Sequence, residues 1–244
     1  MEIISSLENK KIKNLSKLLL KKYRDSEGKF LIDGEHLVQE AYKKGLLLEV
    51  IMTEECPCKF DVPVTYVTYE VLKKLSNATN PQKVVGVCRK FNNEKVIGNK
   101  VLILDDLQDP GNLGTIIRSS VAFGVDTIVM SLNTVDLYND KVIRASEGMI
   151  FHIDIVKKDL SDFVKQMIEK GYNIYGTKVD GGTEVQKIDF GTKVGFIVGN
   201  EGAGVKAELL DLCHDYIYIP MSERCESLNV GVATSIILYV MSNK

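Results

Sequence analysis

Val194-Gly-Phe-Ile-Val-Gly-Asn-Glu-Gly-Ala-Gly-Val205 is an apolar run that ends in a glycine-rich loop and leads into a helical stretch, Val205 to Leu212. A short apolar run of this kind suits a strand buried on both faces of a parallel sheet. The glycines of the loop allow its backbone to approach a ligand closely. Their positions, 199, 202 and 204, match neither the dinucleotide fingerprint nor the phosphate loop, which also needs a following Lys-Ser or Lys-Thr. Glu201 would repel a pyrophosphate, so neither NAD nor ATP is favoured and a nicotinamide-dependent dehydrogenase is set aside.

The same strand, loop and helix pattern repeats outward from this segment. Val101 to Leu104, Thr127 to Met130, Asn173 to Thr177 and Tyr216 to Ile219 read as strands, and Leu113 to Phe123, Leu160 to Lys170 and Leu228 to Met241 as helices. Strict alternation predicts an α/β fold with a parallel sheet covered by helices on both faces. The front of the chain reads as a smaller α/β module. It has helices at Lys10 to Tyr23, Glu35 to Lys44 and Glu70 to Ser76, and extended runs at Phe30 to Ile32, Leu47 to Met52, Val64 to Val67 and Val84 to Cys88. The polar stretch Phe91 to Lys100 is the linker, giving two domains, residues 1–95 and 96–244.

Composition narrows the class. With 244 residues and 45% hydrophobic content the chain can bury a full core. Its longest apolar stretch, Leu228 to Met241, is broken by Asn229, Thr234 and Ser235 and is shorter than the roughly 20 residues a membrane crossing needs. The first residues lack the apolar run of a secretory signal, so a cytoplasmic location is expected. Five scattered cysteines point to reduced thiols. Cys56-Pro57-Cys58 has no matching pair at zinc spacing, and His36, His152 and His214 lie far apart, so no metal is expected.

The net charge of −2 conceals an asymmetry. Residues 1–95 carry 17 Lys and Arg against 13 Asp and Glu, whereas the remainder carries 14 against 20. Between Lys10 and Arg24 lie Lys10, Lys11, Lys13, Lys17, Lys21, Lys22 and Arg24 with no acidic residue among them. Two readings stay open: a phosphate-binding surface, or a solvated helix face with Leu15, Leu18 and Leu19 packed beneath it.

Two more segments place Gly, Asn and charged groups just after buried strands, where open α/β sheets hold ligands. In Leu104-Asp-Asp-Leu-Gln-Asp-Pro-Gly-Asn-Leu-Gly-Thr-Ile-Ile-Arg118, the residues Asp109 to Asn112 are turn chemistry with Asn112 as a helix N-cap. Arg118 is different, because an unpaired guanidinium among Ile116, Ile117 and Val121 predicts a cleft or an anion before it. In Ile219-Pro-Met-Ser-Glu-Arg-Cys-Glu-Ser-Leu-Asn-Val-Gly-Val-Ala-Thr234, Ser227 or Asn229 can cap the last helix. That helix has two apolar stripes, Val230, Ala233, Ile237, Met241 and Leu228, Val232, Ile236, Tyr239. It predicts a core on one side and a partner subunit on the other, or else a central helix in a monomer.

Taken in order, these three segments resemble the three signature motifs of the SpoU RNA methyltransferases (TrmH-type) of the knotted SPOUT class. The front residues, with Phe30-Leu-Ile-Asp-Gly-Glu-His-Leu-Val-Gln-Glu-Ala41, resemble that family's substrate-binding domain, which is similar to ribosomal protein L30e/L7Ae. The resemblance implies a deep C-terminal trefoil knot, an exception to the rule that chains do not knot. It implies S-adenosylmethionine as cofactor, held near Thr177, Gly199, Ile219, Met221 and Leu228. It also implies methyl transfer to a ribose 2′-hydroxyl, with ribosomal RNA preferred to transfer RNA because of the front domain, in a housekeeping or an antibiotic-resistance role.

Carried over by motif position, Arg118 is the base or the group that holds an RNA phosphate, and Asn112 fixes the arginine and the RNA. Glu201 holds the loop or pairs with Arg118, and Ser227 and Asn229 shape the site. Lys10, Lys11, Lys13, Lys21, Lys22 and Arg24 are the candidate RNA contacts. A homodimer is implied, with the cofactor of one subunit facing the arginine of the other. Glu223, Arg224 and Glu226 make the third motif more charged than the Gly- and Ser-rich insert of many relatives. The competing reading is an RNA-binding protein that kept the fold and lost the chemistry.

Overall fold

A computed structural model describes residues 2–55, 60–91 and 96–244. The pair Cys56 and Cys58 and residues 92–95 of the predicted linker lie outside the described residues. In chain order the elements are β1 (Ile3–Ile4), α1 (Lys10–Ser16), α2 (Lys21–Glu27), β2 (Lys29–Asp33), α3 (Glu35–Lys43), β3 (Leu47–Met52), β4 (Val64–Val67), α4 (Tyr69–Lys73) and β5 (Val84–Arg89). There follow β6 (Lys100–Leu104), α5 (Pro110–Ala122), β7 (Thr127–Met130), α6 (Asp140–Ala145), β8 (Asp154–Lys157), α7 (Leu160–Glu169) and β9 (Asn173–Thr177). The chain closes with β10 (Thr183–Glu184), β11 (Val194–Val198), α8 (Ala207–Leu210), β12 (Asp215–Tyr218) and α9 (Val230–Ser242).

The chain divides into two compact units. The first contains the residues up to Phe91 together with Asp136–Phe151. Its five-stranded mixed sheet runs β1-β4-β3-β5-β2 over a core that includes Ile12, Leu31, Ile51, Leu72 and Val85. The linear division at residue 95 assigns 136–151 to the other domain, but aromatic packing draws this excursion into the first unit. Phe30, fully buried on β2, meets Tyr138 at 4.7 Å and stacks on Phe151, and the Phe91 N–H donates to the Tyr138 hydroxyl at 2.9 Å.

The basic segment is not the single helix predicted from Lys10 to Tyr23. Leu20 is extended (φ −100°, ψ 131°) and separates α1 and a short 3₁₀ turn, Lys17–Leu19, from α2. Arg24 fixes this bend: its guanidinium donates to the carbonyls of Leu18 and Leu19 at 2.9 and 2.8 Å and pairs with Asp136 at 2.6 Å. The side chain is buried, which removes Arg24 from the surface and from the candidate RNA contacts. A buried cation is tolerable only with such partners.

The second unit holds a seven-stranded sheet in the order β10-β12-β9-β11-β6-β7-β8, parallel throughout. β6, β7 and β11 are buried along almost their whole length, as apolar runs without alternation require. Ile103, Val129, Ile174 and Ile197 pack with Phe163, Val164 and Met167 of α7 in one cluster. Sequence periodicity did not find β8 or β10, short edge strands with two buried residues and none, respectively. α9 packs on α5, with the Ser119 and Ser235 hydroxyls 2.6 Å apart. Among the described residues no helix is long and apolar enough to cross a membrane.

Candidate active site

Three loops at the carboxyl ends of parallel strands, after β9, β11 and β12, close with the start of α9 around a cavity of about 660 Å³. Thr177, Gly199, Ile219, Met221 and Leu228 all line it, so the five residues predicted to hold a cofactor converge on one space. Glu201, Ser227 and Asn229 border the same cavity, whereas Asn112 and Arg118 do not. The glycine loop is folded tightly on itself. A Cβ on Gly199 would lie 2.0 Å from the Gly204 carbonyl carbon and 2.1 Å from the Val205 nitrogen, so only glycine fits there. The Thr177 hydroxyl donates to the Ile197 carbonyl at 3.0 Å and ties two of the strands that carry the loops.

The N-cap of α5 is Asp109, not Asn112. Pro110 supplies the preset φ of the first helical turn, and the Asp109 carboxylate accepts from Asn112 N–H at 2.8 Å. This releases the Asn112 side chain for a second task. Its Nδ2 donates to Glu201 Oε1 at 3.1 Å, while its Oδ1 accepts from Asn229 Nδ2 at 2.9 Å. The Asn229 Oδ1 in turn caps α9, accepting from Gly231 and Val232. One asparagine thus joins the first motif to the second and third, across 89 and 117 residues of chain.

Glu201 does not pair with Arg118. Its carboxylate accepts from Asp109 N–H at 2.9 Å, Gln108 N–H at 3.1 Å and Asn112, which realises the alternative in which it holds the loop. Partial burial opposes its ionisation, but the bonds from Asn112 and the backbone N–H groups outweigh this and keep its pKa below the ordinary value. Arg118 stands exposed on α5, with no hydrogen bond or ion pair to any described residue. It avoids the cost of burial by facing solvent, free to take an anion.

Sequence reasoning missed the groups that anchor the loop. Buried Asp105 accepts from Lys206 N–H at 2.9 Å, and the Lys206 ammonium lies 2.8 Å from Asp106 and 3.2 Å from Asp105. Asp106, at a left-handed φ of 51°, also accepts from Ser131 at 2.6 Å, and its carbonyl receives Asn200 Nδ2 at 2.9 Å. Consecutive carboxylates just after a buried strand were the available signal. Among the described residues no three of His, Cys, Asp and Glu converge as metal ligands.

In the first unit, Lys11 pairs with Glu49 and Lys13 with Glu8, whereas Lys10, Lys21 and Lys22 are exposed without an ion pair to a described residue.

An all-parallel sheet with a glycine-walled cavity at its carboxyl edge places the second unit among α/β proteins that bind a small ligand at strand ends. The chain belongs to the SpoU rRNA methylase family, whose model matches residues 99–239, and residues 9–86 match an MRM3-like substrate binding domain. It is 37% identical, over 98% of both chains, to the 23S rRNA (guanosine(2553)-2′-O)-methyltransferase RlmP of Bacillus subtilis (strain 168). It also resembles the crystal structure of an rRNA methyltransferase from Sinorhizobium meliloti, with a TM-score of 0.89, 28% identity and 99% and 97% of the two chains covered. The AdoMet-bound form of that protein matches with a TM-score of 0.87 over the same shares at 28% identity.

Proposed function

We propose that this protein is an S-adenosylmethionine-dependent methyltransferase that modifies a ribose 2′-hydroxyl of ribosomal RNA in the cytoplasm. The observation that carries this reading is the convergence of Thr177, Gly199, Ile219, Met221 and Leu228 on one cavity beside the Asn229–Asn112–Glu201 chain. The cavity fits the cofactor in size and in character. Its volume lies within the range of cofactor pockets, its walls include apolar Ile217, Ile219, Met221 and Leu228, and the compact backbone of the Gly199 loop forms one side. Bound there, S-adenosylmethionine supplies an electrophilic methyl group on a sulfonium.

The residues of the chain bind and orient the RNA. Arg118 takes a phosphate and thereby fixes the adjacent ribose, since a guanidinium is a strong phosphate partner and too weak an acid to serve as a base. The hydroxyl proton passes to a phosphate oxygen or to water. Asn112 and Glu201 hold the loops at their spacing, and Ser227 and Asn229 set the rim of the cavity. Lys10, Lys21 and Lys22 contribute phosphate contacts in a front domain of the L30e/L7Ae kind. The guanosine modified by the Bacillus subtilis relative is the first nucleotide to examine.

The reading includes a deep trefoil knot and a homodimer. Support for the knot comes from the path of the chain: β12 returns to the edge of β9 after β11 has been laid on its other edge, and α9 then packs back on α5. Support for the dimer comes from α9, where Val232 and Tyr239 are 47% and 57% exposed on one stripe. That stripe lies on the helix packed against α5, which carries Arg118, a side chain that pairs with no described residue. Arg118 does not line the cavity of its own chain, so a partner's cavity is the one it serves.

The test is nucleoside analysis of ribosomal RNA from cells with and without the gene. Loss of one 2′-O-methyl nucleoside, restored by the wild-type gene but not by Arg118→Ala, supports the reading. An unchanged methylation pattern alongside altered ribosome assembly supports the non-catalytic RNA-binding alternative.

A further inference from the structure

The bend between α1 and α2 displays a group of side chains that the folding of the first unit does not use. Leu20, at the bend, is 59% exposed, although leucine is ordinarily buried. Tyr23 is half-buried three residues on, with the ammonium groups of Lys17 and Lys22 at 5.8 and 4.8 Å from its ring centroid. Neither lysine pairs with a carboxylate of a described residue. Among the described residues the Lys17 ammonium hydrogen-bonds only the Asn14 side chain, at 3.1 Å. Asp25, the nearest acid along α2, is neutralised by Lys90 at 2.7 Å, whose hydrogen bond outweighs burial and lowers the carboxyl pKa. The display is held rigidly by Arg24, whose buried guanidinium clamps the carbonyls of Leu18 and Leu19 and the Asp136 carboxylate.

An aromatic ring with two cations near it that pair with no carboxylate of a described residue, three residues from an exposed leucine whose carbonyl accepts from the Tyr23 N–H, matches single-stranded RNA. Its bases stack on aromatic faces, while the cations take the neighbouring phosphates. A duplex offers phosphates but keeps its base faces stacked inside. We propose that this bend is a recognition site for an unpaired nucleotide, with Tyr23 as the stacking platform, exposed Leu20 as a further apolar contact and Lys17 and Lys22 as phosphate contacts. The inference rests on the reading of the chain as an RNA-modifying enzyme, and it adds that the front domain selects RNA with an unstacked base.

The test uses the full chain and two probes: a short RNA hairpin with 2-aminopurine in its unpaired loop, and a fully paired duplex of the same length. Wild type is expected to bind the hairpin more tightly than the duplex and to quench the 2-aminopurine. Tyr23→Leu lowers hairpin affinity about tenfold and abolishes the quench, while Tyr23→Phe retains both. The salt slope is unchanged in Tyr23→Leu and shallower in Lys17→Gln/Lys22→Gln. Melting temperature and S-adenosylmethionine binding stay at wild-type values in all variants. Equal hairpin and duplex affinity, or full affinity and quench in Tyr23→Leu, overturns the inference. A wild type that binds S-adenosylmethionine but neither RNA probe contradicts the reading of the front domain as well as this site.

Discussion

The Asn112 side chain accepts from Asn229 Nδ2 at 2.9 Å and donates to Glu201 at 3.1 Å, so one residue of α5 holds the cap of α9 and the glycine loop together. Alanine at 112 removes both bonds at once. A lost hydrogen bond of this kind costs about 1–3 kcal/mol, which predicts a roughly 10- to 100-fold fall in kcat if the spacing of the loops governs transfer. Asn112→Ala and Asn229→Ala should be non-additive in a double-mutant cycle, because they sever the same contact.

Gly199→Ala tests the loop itself. Its Cβ would collide with the backbone at Gly204 and Val205, so the loop must open. We expect a loss of about 1–3 kcal/mol in stability, as for other overpacked sites, and a larger loss of S-adenosylmethionine affinity by calorimetry. Gly202→Ala, which meets nothing closer than 3.7 Å, is the control and should bind normally.

Glu201 predicts the acid limb of stability. Its pKa is depressed below the ordinary 4.5 in the folded protein, so its contribution is fully present above that value and is lost as pH falls through the lower, folded-state pKa. The difference in melting temperature between wild type and Glu201→Gln should therefore be constant near neutrality and shrink below about pH 4.5. A difference that grows on acidification would show that the carboxylate is not held ionised by Asn112 and the backbone N–H groups.

Arg118→Ala should abolish methyl transfer and leave melting temperature and cofactor affinity nearly unchanged, since an exposed side chain that pairs with no described residue contributes little to folding. Tyr239→Glu, on the exposed stripe of α9, should yield monomers in light scattering. Mixing Arg118→Ala with Gly199→Ala, whose defect lies in the cavity, under conditions of subunit exchange should restore activity if Arg118 of one chain serves the cavity of the other. An active monomer would refute the dimer.

Much of this was legible in the sequence where burial alone sets the pattern. The strands Val194–Val198, Thr127–Met130 and Asn173–Thr177 have the predicted limits, because a strand buried on both faces is apolar through its middle. The cavity residues were legible through family resemblance, whereas Ile219 and Leu228 are indistinguishable by apolarity from core. What periodicity cannot record is which loops meet. The clamp of Lys206 on Asp105 and Asp106 and the draw of Asp136 to Arg24 depend on chain segments far apart in sequence, whereas the choice of Asp109 over Asn112 as cap is local and turns on Pro110 at the first helical position. The bend at Leu20 escaped for a related reason, since a run of Lys and Leu favours helix and gives no sign of the buried arginine that interrupts it.

Transfer of a tritiated methyl group from S-adenosylmethionine to ribosomal RNA prepared from cells lacking the gene, followed by nuclease digestion and nucleoside separation, tests the central claim most directly. The account predicts label in a single 2′-O-methyl nucleoside with wild type and none with Arg118→Ala. Label in a base-methylated nucleoside, or equal transfer by Arg118→Ala, would contradict it.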